Sequence, residues 1–278
     1  MSDTGKVAVI TGSATGIGAA IARRLAGAGW RVTVTYTRSK AEAEATAAAC
    51  EALGVEVLLA RADVSRDADC RDLIAKTLER WGRIDGLVNN AGVTKFVAAD
   101  DLEGLDAVDF EQIFSVNLGG AWQMTRAAAP ALKASGHGAV VNISSHSGFS
   151  GSGSSLAYAA SKGALNTLTL GLARTLAPAI RVNAVCPGYV ETRWARKALD
   201  DAEFDKLKES IRQISPLKRV VQAEDVAEAV RASGGEPRPW RRMAGGSAGG
   251  GLPASSWPPA GPFASAILRL PKSKDELD

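Results

Sequence analysis

Short apolar segments alternate with longer segments rich in alanine, leucine and arginine over the first 231 residues of the chain. The short segments are rich in β-branched residues and almost continuously apolar, which is typical of strands buried on both faces of a parallel sheet. They span 7–11, 31–36, 55–60, 84–90, 139–144 and 180–185. The longer segments carry apolar residues at helical spacing and span 17–28, 41–53, 68–81, 110–134 and 156–177. This alternation predicts an α/β fold with a doubly wound parallel sheet, in which ligands bind at the carboxyl ends of the strands.

The pattern stops near residue 231, where the composition changes abruptly. Residues 232–278 hold seven of the 11 prolines and eight of the 29 glycines, and they follow neither the strand period nor the helix period. We therefore predict one domain over residues 1–231 and an irregular, low-complexity tail over residues 232–278. Such a composition is also what an out-of-frame reading of a GC-rich gene gives, so a frameshift is one hypothesis for the origin of the tail.

Composition and charge argue against several kinds of partner. The net charge is +3, and six Lys/Arg against four Asp/Glu place +2 of it in residues 232–278. The domain is therefore almost neutral, and we expect no nucleic-acid partner. Three cysteines without CxxC spacing and two histidines predict reduced thiols and no metal site. No apolar run approaches the ~20 residues of a membrane span, and the polar N-terminus does not resemble a signal peptide. We expect no membrane association and a cytoplasmic location.

A glycine-rich turn joins the first predicted strand to the first predicted helix, with the spacing Gly-x-x-x-Gly-x-Gly. Glycine permits a positive φ and lets a phosphate approach the backbone closely. The N-terminus of the helix adds free N–H groups and the positive end of the helix dipole. The turn therefore predicts a site for a dinucleotide pyrophosphate, and an ordinary tight turn is the alternative. The candidate residues are Gly12, Ser13, Thr15, Gly16, Ile17 and Gly18.

The end of the second predicted strand distinguishes between two dinucleotides. An acidic residue there would bind the ribose 2′-hydroxyl of NAD, but no acid occurs between Val32 and Lys40. Arg38 and Ser39, which follow Tyr36, can instead bind a 2′-phosphate, and this favours NADP(H) over NAD(H) as the cofactor. The alternative is that Arg38 is a solvated residue at the start of a helix. Further candidate contacts follow the third and fourth strands: Asp63 and Val64 for the adenine, and Asn90, Ala91 and Gly92 for the middle of the cofactor.

A tyrosine and a lysine four residues apart form the candidate reacting centre. On a helix, Tyr158 and Lys162 share one face. A tyrosine has an ordinary pKa of ~10, and a neighbouring ammonium can lower that pKa by ~1–3 units, toward the range that a general acid or base needs. Ser145 follows the fifth predicted strand and can hydrogen-bond a carbonyl oxygen or an alcohol. A tyrosine and a lysine at this spacing also occur on ordinary exposed helices. The assignment of Tyr158 and Lys162 as a reacting centre therefore depends on the glycine-rich turn and Ser145, which precede them in the sequence.

Together these motifs resemble those of the classical short-chain dehydrogenases/reductases over roughly residues 5–231. The matching segments are TGSATGIG, NNAG, SVNLGG with Asn117, Ser145, YAASK at 158–162 and CPGYVET at 186–192. The resemblance implies a single-domain Rossmann fold and hydride transfer between NAD(P) and a carbonyl/alcohol pair. We accordingly predict reduction of a ketone to a secondary alcohol, or the reverse, with 3-oxoacyl thioesters as candidate substrates.

The resemblance also implies a role for each matching residue. Tyr158 would be the acid/base, Lys162 would tune it and bind the nicotinamide ribose, and Ser145 would stabilise the carbonyl oxygen. Asn117 would hold a water in a proton relay. The residues implied at the nicotinamide end of the cofactor are Pro187, Gly188, Val190 and Thr192.

Assembly and the region around the substrate are further expectations from the resemblance. It implies a homo-oligomer, a dimer or a tetramer, provided that the tail permits assembly in place of the family's last strand. It also implies a substrate-covering lid near residues 194–215, for which a plain surface helix is the alternative. A catalytically impaired nucleotide-binding or regulatory module is the alternative function. We disfavour a hydrolase built on Ser145 and His146, because adjacent residues do not readily pair and the chain has no G-x-S-x-G elbow.

Overall fold

Six strands form one parallel sheet in the part of the chain that the structure, a computed structural model, describes: residues 5–192, 200–215 and 217–234. The strands are β1 (Val7–Ile10), β2 (Arg31–Tyr36), β3 (Val57–Arg61), β4 (Gly86–Asn89), β5 (Gly138–Ile143) and β6 (Ile180–Val185). Their order in the sheet is β3-β2-β1-β4-β5-β6. The chain reverses direction across the sheet between β1 and β4, and ligand crevices of open α/β sheets lie at such a switch point. The predicted doubly wound parallel sheet is confirmed.

Helices cover both faces of this sheet. They are α1 (Gly16–Ala26), α2 (Lys40–Glu51), α3 (Asp67–Trp81), α4 (Ala107–Phe114), α5 (Ala121–Ala134), α6 (Ser147–Ser150), α7 (Leu156–Leu176), α8 (Asp201–Ile214) and α9 (Ala223–Gly234). The single helix predicted over 110–134 is wrong in one respect, because a π-helical segment, Ser115–Gly120, separates α4 from α5. A π-turn holds one residue more than an α-turn and often occurs at functional sites.

Apolar side chains form one core on each face of the sheet. On one face, Ile21 of α1 and Val32 of β2 are fully buried together with residues of α2 and α9. On the other face, Leu73, Leu87 and Leu132 are buried together with residues of α7. Full burial of one such side chain contributes roughly 1.5–3 kcal/mol, so the strand ends rest on a rigid scaffold.

The C-terminal part of the described chain differs from the sequence pattern. Helix α9 is not predicted, although Val226, Ala227 and Val230 bury one face of it and Glu228 forms a 2.6 Å ion pair with Arg24 of α1. Helix α9 is only 12 residues long and ends where the composition changes. The stretch with helical periodicity is therefore too short to stand out in the sequence. It continues to Gly234, three residues beyond the predicted boundary. Residues 235–278 of the predicted tail, and residues 194–199 of the predicted lid with Trp194, lie outside the described residues.

Candidate active site

The glycine-rich turn lies at the carboxyl end of β1 and leads into α1. Gly12 and Gly16 have φ values of 63° and 57°, a region that favours glycine. A Cβ atom at Gly18 would collide with the Gly12 carbonyl oxygen and would lie 2.5 Å from Asn90 Nδ2. The N-cap residue Thr15 makes no side-chain cap to α1. The N–H groups of the first turn are therefore available to an anion, and the small residues leave room for it, so the turn fits a pyrophosphate.

Two of the predicted turn residues differ in where their side chains point. Thr15 lines a large cavity, together with Gly12, Ile17 and Gly18. Ser13 is fully buried and faces the sheet, because its hydroxyl donates to Ile10 O at 2.7 Å and accepts from Thr35 N at 2.8 Å. The Ser13 side chain therefore joins β1 to β2 and does not line the cavity.

The ends of β2 and β3 form one end of the cavity. Tyr36, Arg38 and Ser39 line it. The side chain of Arg38 is exposed and makes no hydrogen bond or ion pair with the described residues. Asp63 follows β3, and its Oδ1 atom accepts hydrogen bonds from Ser65 N at 3.0 Å and Ser65 Oγ at 2.7 Å. These bonds hold the carboxylate still and leave its Oδ2 atom as an acceptor. Val64, also predicted here, is buried beside it and lines the same cavity.

The segment after β4 connects the glycine turn with the candidate reacting centre. Asn90 Nδ2 donates to the carbonyl oxygens of Thr11 and Gly12, both at 2.9 Å. Ala91 N donates to Thr11 Oγ1 at 3.0 Å. A Cβ atom at Gly92 would lie 3.4 Å from Asn117 Oδ1 and 3.7 Å from Lys162 Nζ. The backbone of Gly92 therefore lies between the Asn117 amide oxygen and the Lys162 ammonium group and is close to both.

Tyr158, Lys162 and Ser145 converge on the other half of the same cavity. Ser155 is the N-cap of α7 and accepts from Tyr158 N at 3.3 Å, which fixes Tyr158 in the first turn of the helix. Tyr158 is hydrogen-bonded to Ser145, which follows β5. Lys162 Nζ lies 5.6 Å from the centroid of the Tyr158 ring and donates to Ile143 O at 2.8 Å. The structure thus brings together the three residues that we predict from the sequence for the reacting centre.

The electrostatics of this centre differ from the sequence-based expectation. Burial raises the pKa of Tyr158, and the hydrogen bond between Tyr158 and Ser145 opposes that effect only in part. Burial also lowers the pKa of Lys162 to about 8. The expected net lowering of the tyrosine pKa is therefore wrong for the protein groups alone, because desolvation of the phenolate is the larger effect.

Asn117 lies in the π-helical segment and is buried. Its Oδ1 atom accepts from Val93 N at 2.8 Å, and its Nδ2 atom donates to Val93 O and Ser161 Oγ, both at 3.0 Å. Both amide protons of Asn117 are thus used within the protein. The side chain holds the loop after β4 against α7, and the water-holding role of Asn117 stays a prediction.

The loop after β6 closes the cavity from a third side. Pro187, Gly188, Val190 and Thr192 all line the cavity. Pro187 O accepts from His146 N at 2.9 Å, which ties the ends of β5 and β6 together. A Cβ atom at Gly16 would lie 3.7 Å from Thr192 Cγ2, so Thr192 lies against the glycine turn. His146 itself is exposed, and the Ser145 hydroxyl is bonded to Ser147 and Tyr158, an arrangement that does not support a Ser-His nucleophile.

Several cavity residues belong to no motif of the sequence. The cavity has a volume of about 1270 Å³, and its lining also includes Phe96 and Val97 from the loop after β4 and Ser147 from α6. Leu207 and Ile211 of α8, in the segment for which the resemblance implies a lid, line it too. The loops after β4 and β5 are joined by a Val97 N–Ser154 O bond of 2.9 Å and a Thr94–Ser154 hydroxyl contact of 2.7 Å. Single loop residues follow no period, so only the fold reveals these neighbours.

Within the described residues, His, Cys, Asp and Glu side chains form no cluster of three or more that could hold a metal ion. No helix in this part of the chain is both long enough and apolar enough to cross a membrane.

The fold and the cavity define a Rossmann-fold protein with a dinucleotide cleft at the switch point of its sheet. Residues 6–203 match the family model described as short chain dehydrogenase. The chain belongs to the short-chain dehydrogenases/reductases, a family of oxidoreductases that use a nicotinamide cofactor. The family predicted from the motifs is confirmed.

Similar proteins cover most of the chain. A protein from Streptomyces violaceoruber, assigned as ketoacyl reductase 2 of the granaticin polyketide synthase, is 46% identical over 224 residues, which are 81% of this chain and 87% of that protein. The 3-oxoacyl-[acyl-carrier-protein] reductase of Synechocystis is 34% identical over 235 residues, 84% of this chain and 91% of that one. A crystal structure of a protein assigned as a short-chain dehydrogenase/reductase from Burkholderia xenovorans is 45% identical, has a TM-score of 0.75 and covers 82% of this chain and 90% of its own.

Proposed function

We propose that the chain is an NADP(H)-dependent oxidoreductase that reduces a ketone to a secondary alcohol or catalyses the reverse reaction. One observation carries this proposal: the Tyr158 phenol, hydrogen-bonded to Ser145, lines the same cavity as the glycine turn. A phenol and an alcohol side by side can both donate to one substrate oxygen. Such hydrogen bonds strengthen as negative charge develops on that oxygen.

The chain's own residues bind the oxygen and move its proton, while the nicotinamide, when bound, supplies or accepts the hydride. In reduction, Tyr158 donates its proton to the developing alkoxide, and Ser145 donates a hydrogen bond to the same atom. Burial raises the pKa of Tyr158 and so keeps the phenol in the protonated form that reduction needs. Lys162 Nζ, 5.6 Å from the ring centroid, is close enough for an ammonium to stabilise the phenolate that remains.

The residues around the glycine turn would hold the cofactor. The first-turn N–H groups of α1 suit the pyrophosphate, and the Asp63 carboxylate suits the adenine amino group. The exposed Arg38 at the end of β2, with no nearby acid in the sequence, supports a preference for a 2′-phosphate. The preference for NADP(H) over NAD(H) depends on this arginine.

The cavity near Tyr158 supports a substrate with an apolar body. Four apolar residues, Phe96, Val97, Leu207 and Ile211, line the cavity that contains Tyr158, and hydroxyl groups lie around Ser145. A 3-oxoacyl thioester has a ketone beside an apolar chain and is a candidate substrate. The names of the two relatives described above, a ketoacyl reductase and a 3-oxoacyl-[acyl-carrier-protein] reductase, agree with this class.

The test is the consumption of NADPH and of NADH with a panel of ketones and 3-oxoacyl thioesters. We expect turnover with NADPH, and loss of a general acid should lower kcat of Tyr158→Phe by about 10²- to 10⁴-fold while NADPH still binds. Arg38→Ala should raise the KM for NADPH roughly tenfold, because a charge-assisted contact is lost, and leave the KM for NADH unchanged. A wild type that binds NADPH but turns over no ketone and no alcohol would contradict the proposal and support the impaired module.

A further inference from the structure

Ser147, the first residue of α6, lies beside the candidate reacting centre although no sequence motif selects it. Its backbone N–H donates to Ser145 Oγ at 3.1 Å, and its hydroxyl oxygen accepts the Ser145 proton at 3.0 Å. Ser147 also lines the cavity that contains Tyr158. Ser145 is thus held by two contacts to one neighbour.

The Ser145 hydroxyl has one proton and two acceptors within reach. When it donates to Ser147, it can only accept from Tyr158, and this arrangement stabilises the neutral phenol. When it donates to Tyr158, it stabilises the phenolate, because hydrogen bonds to the charged form of an acid favour that form. The protonation state of Tyr158 is therefore coupled to whether Ser145 donates its proton to Ser147 or to Tyr158.

The position of the Ser147 hydroxyl is set by packing. A Cβ atom at Gly153 would lie 2.6 Å from Ser147 Oγ, 3.2 Å from Ser147 Cβ and 3.6 Å from Tyr158 Cδ1. Gly153 has a φ of 155°, within the range that favours glycine. Its backbone therefore closes one side of Ser147 and leaves the hydroxyl next to Ser145.

We propose that Ser147 is a positioning residue that competes with Tyr158 for the Ser145 proton and so biases the acid–base centre toward the protonated tyrosine. This inference rests on the proposed function, in which Tyr158 moves the substrate proton. Reduction needs the protonated phenol and oxidation needs the phenolate, so Ser147 favours the reductive direction near neutral pH.

Other titratable groups share this environment. Lys162, on α7 with Tyr158, has its Nζ atom 5.6 Å from the centroid of the Tyr158 ring, and Cys186, which follows β6, interacts electrostatically with Lys162. Further charged or titratable groups line the cavity: His146, Tyr189, Glu203, Lys206 and Arg219, with Tyr36, Arg38 and Asp63 at the nucleotide end. Ser147 is neutral at every accessible pH. Its removal therefore changes the hydrogen bonding of Ser145 and adds no charge.

The experiment compares Ser147→Ala with the wild type and with Ser150→Ala. Ser150 is on the same helix but bonds to His146 O and the Ser152 hydroxyl, away from Ser145. A hydrogen bond of ordinary strength corresponds to roughly half to one pH unit. We expect the pH profile of alcohol oxidation by Ser147→Ala to move down by that amount, and Ser150→Ala to match the wild type. The pH profile of Ser147→Cys, whose thiol is a weaker acceptor, should lie between the profiles of Ser147→Ala and the wild type.

Ultraviolet titration of tyrosinate gives a readout that needs no turnover. The chain has three tyrosines, and subtracting the titration of Tyr158→Phe isolates Tyr158 from Tyr36 and Tyr189. A downward shift of the Tyr158 titration in Ser147→Ala supports the inference, whether or not a ketone is turned over. The absence of turnover would overturn only the proposed function. A titration of Ser147→Ala that coincides with the wild type overturns the inference, and active enzyme would then leave the proposed function intact.

Discussion

At the scale of single residues, the burial of Lys162 links the candidate site to the stability of the protein. Burial lowers the pKa of Lys162 to about 8, from an ordinary value of 10.5. Between these two values the unfolded chain binds more protons than the folded one, so this residue makes the folded state more stable as the pH rises from 8 to 10.5. Below pH 8 both states are protonated, and the buried ammonium costs about 3 kcal/mol.

Lys162→Met removes this titration. We expect the free energy of unfolding of the variant, relative to the wild type, to fall by about 2 kcal/mol between pH 8 and pH 10, because only the wild type gains stability over that range. Urea denaturation at several pH values measures the difference. Lys133→Met, at an exposed position near the end of α5, is the matched control and should show a constant difference. A constant difference for Lys162→Met would mean that its ammonium is not desolvated.

At the scale of elements, the π-helical segment matters because it brings α5 close to the loop that follows β3. A Cβ atom at Gly120 would lie 2.6 Å from Val64 Cγ2 and 2.9 Å from Val64 Cβ. Val64 borders the nucleotide end of the cavity. The backbone at Gly120 therefore forms part of the support for the proposed adenine site.

Gly120→Ala should force this loop to move. We expect it to cost about 1–3 kcal/mol of stability, as overpacking does, and to weaken NADPH binding several-fold. Gly119→Ala is the control, because its Cβ atom would meet nothing closer than 3.6 Å, and alanine is the better helix former. Thermal unfolding and fluorescence titration with NADPH measure the two effects. Equal behaviour of the two variants would contradict the assigned contact.

The same elements explain how far the sequence predicts the structure. Strands of the buried sheet are within two residues of their predicted bounds, because runs such as VAVI and RVTVTY leave few alternatives. The π-turn at Asn117 is not predictable from periodicity, since it inserts one residue into an otherwise continuous helix. Ser147 begins a helix of only four residues, Phe96 lies in a loop, and the buried side chain of Ser13 bonds within the sheet. Their roles depend on contacts between distant segments, which no local pattern encodes.

At the scale of the whole molecule, an apolar groove on the outer side of α5 and α7 remains exposed. Phe114, Leu118, Trp122, Ala164 and Leu168 line it, and the exposed fraction of Trp122 is 44%. Phe110, which stacks on Phe114 at 6.4 Å, extends the apolar surface along α4. The groove contains almost no polar side chain that could bind water. A second copy of the chain, related to the first by a twofold axis, would place the same apolar surface against this groove, and both surfaces would be buried.

Trp122→Glu tests this assembly. A carboxylate at the centre of such an interface would face its own copy across the axis, and burying both charges without partners costs several kcal/mol. We expect the wild type to elute from size exclusion with light scattering as a dimer or tetramer, and the variant as a smaller species with unchanged circular dichroism. Leu53→Glu, at an equally exposed apolar residue after α2, should leave the assembly intact. A wild type that is monomeric, or a variant of unchanged size, would show that another surface joins the subunits or that none does.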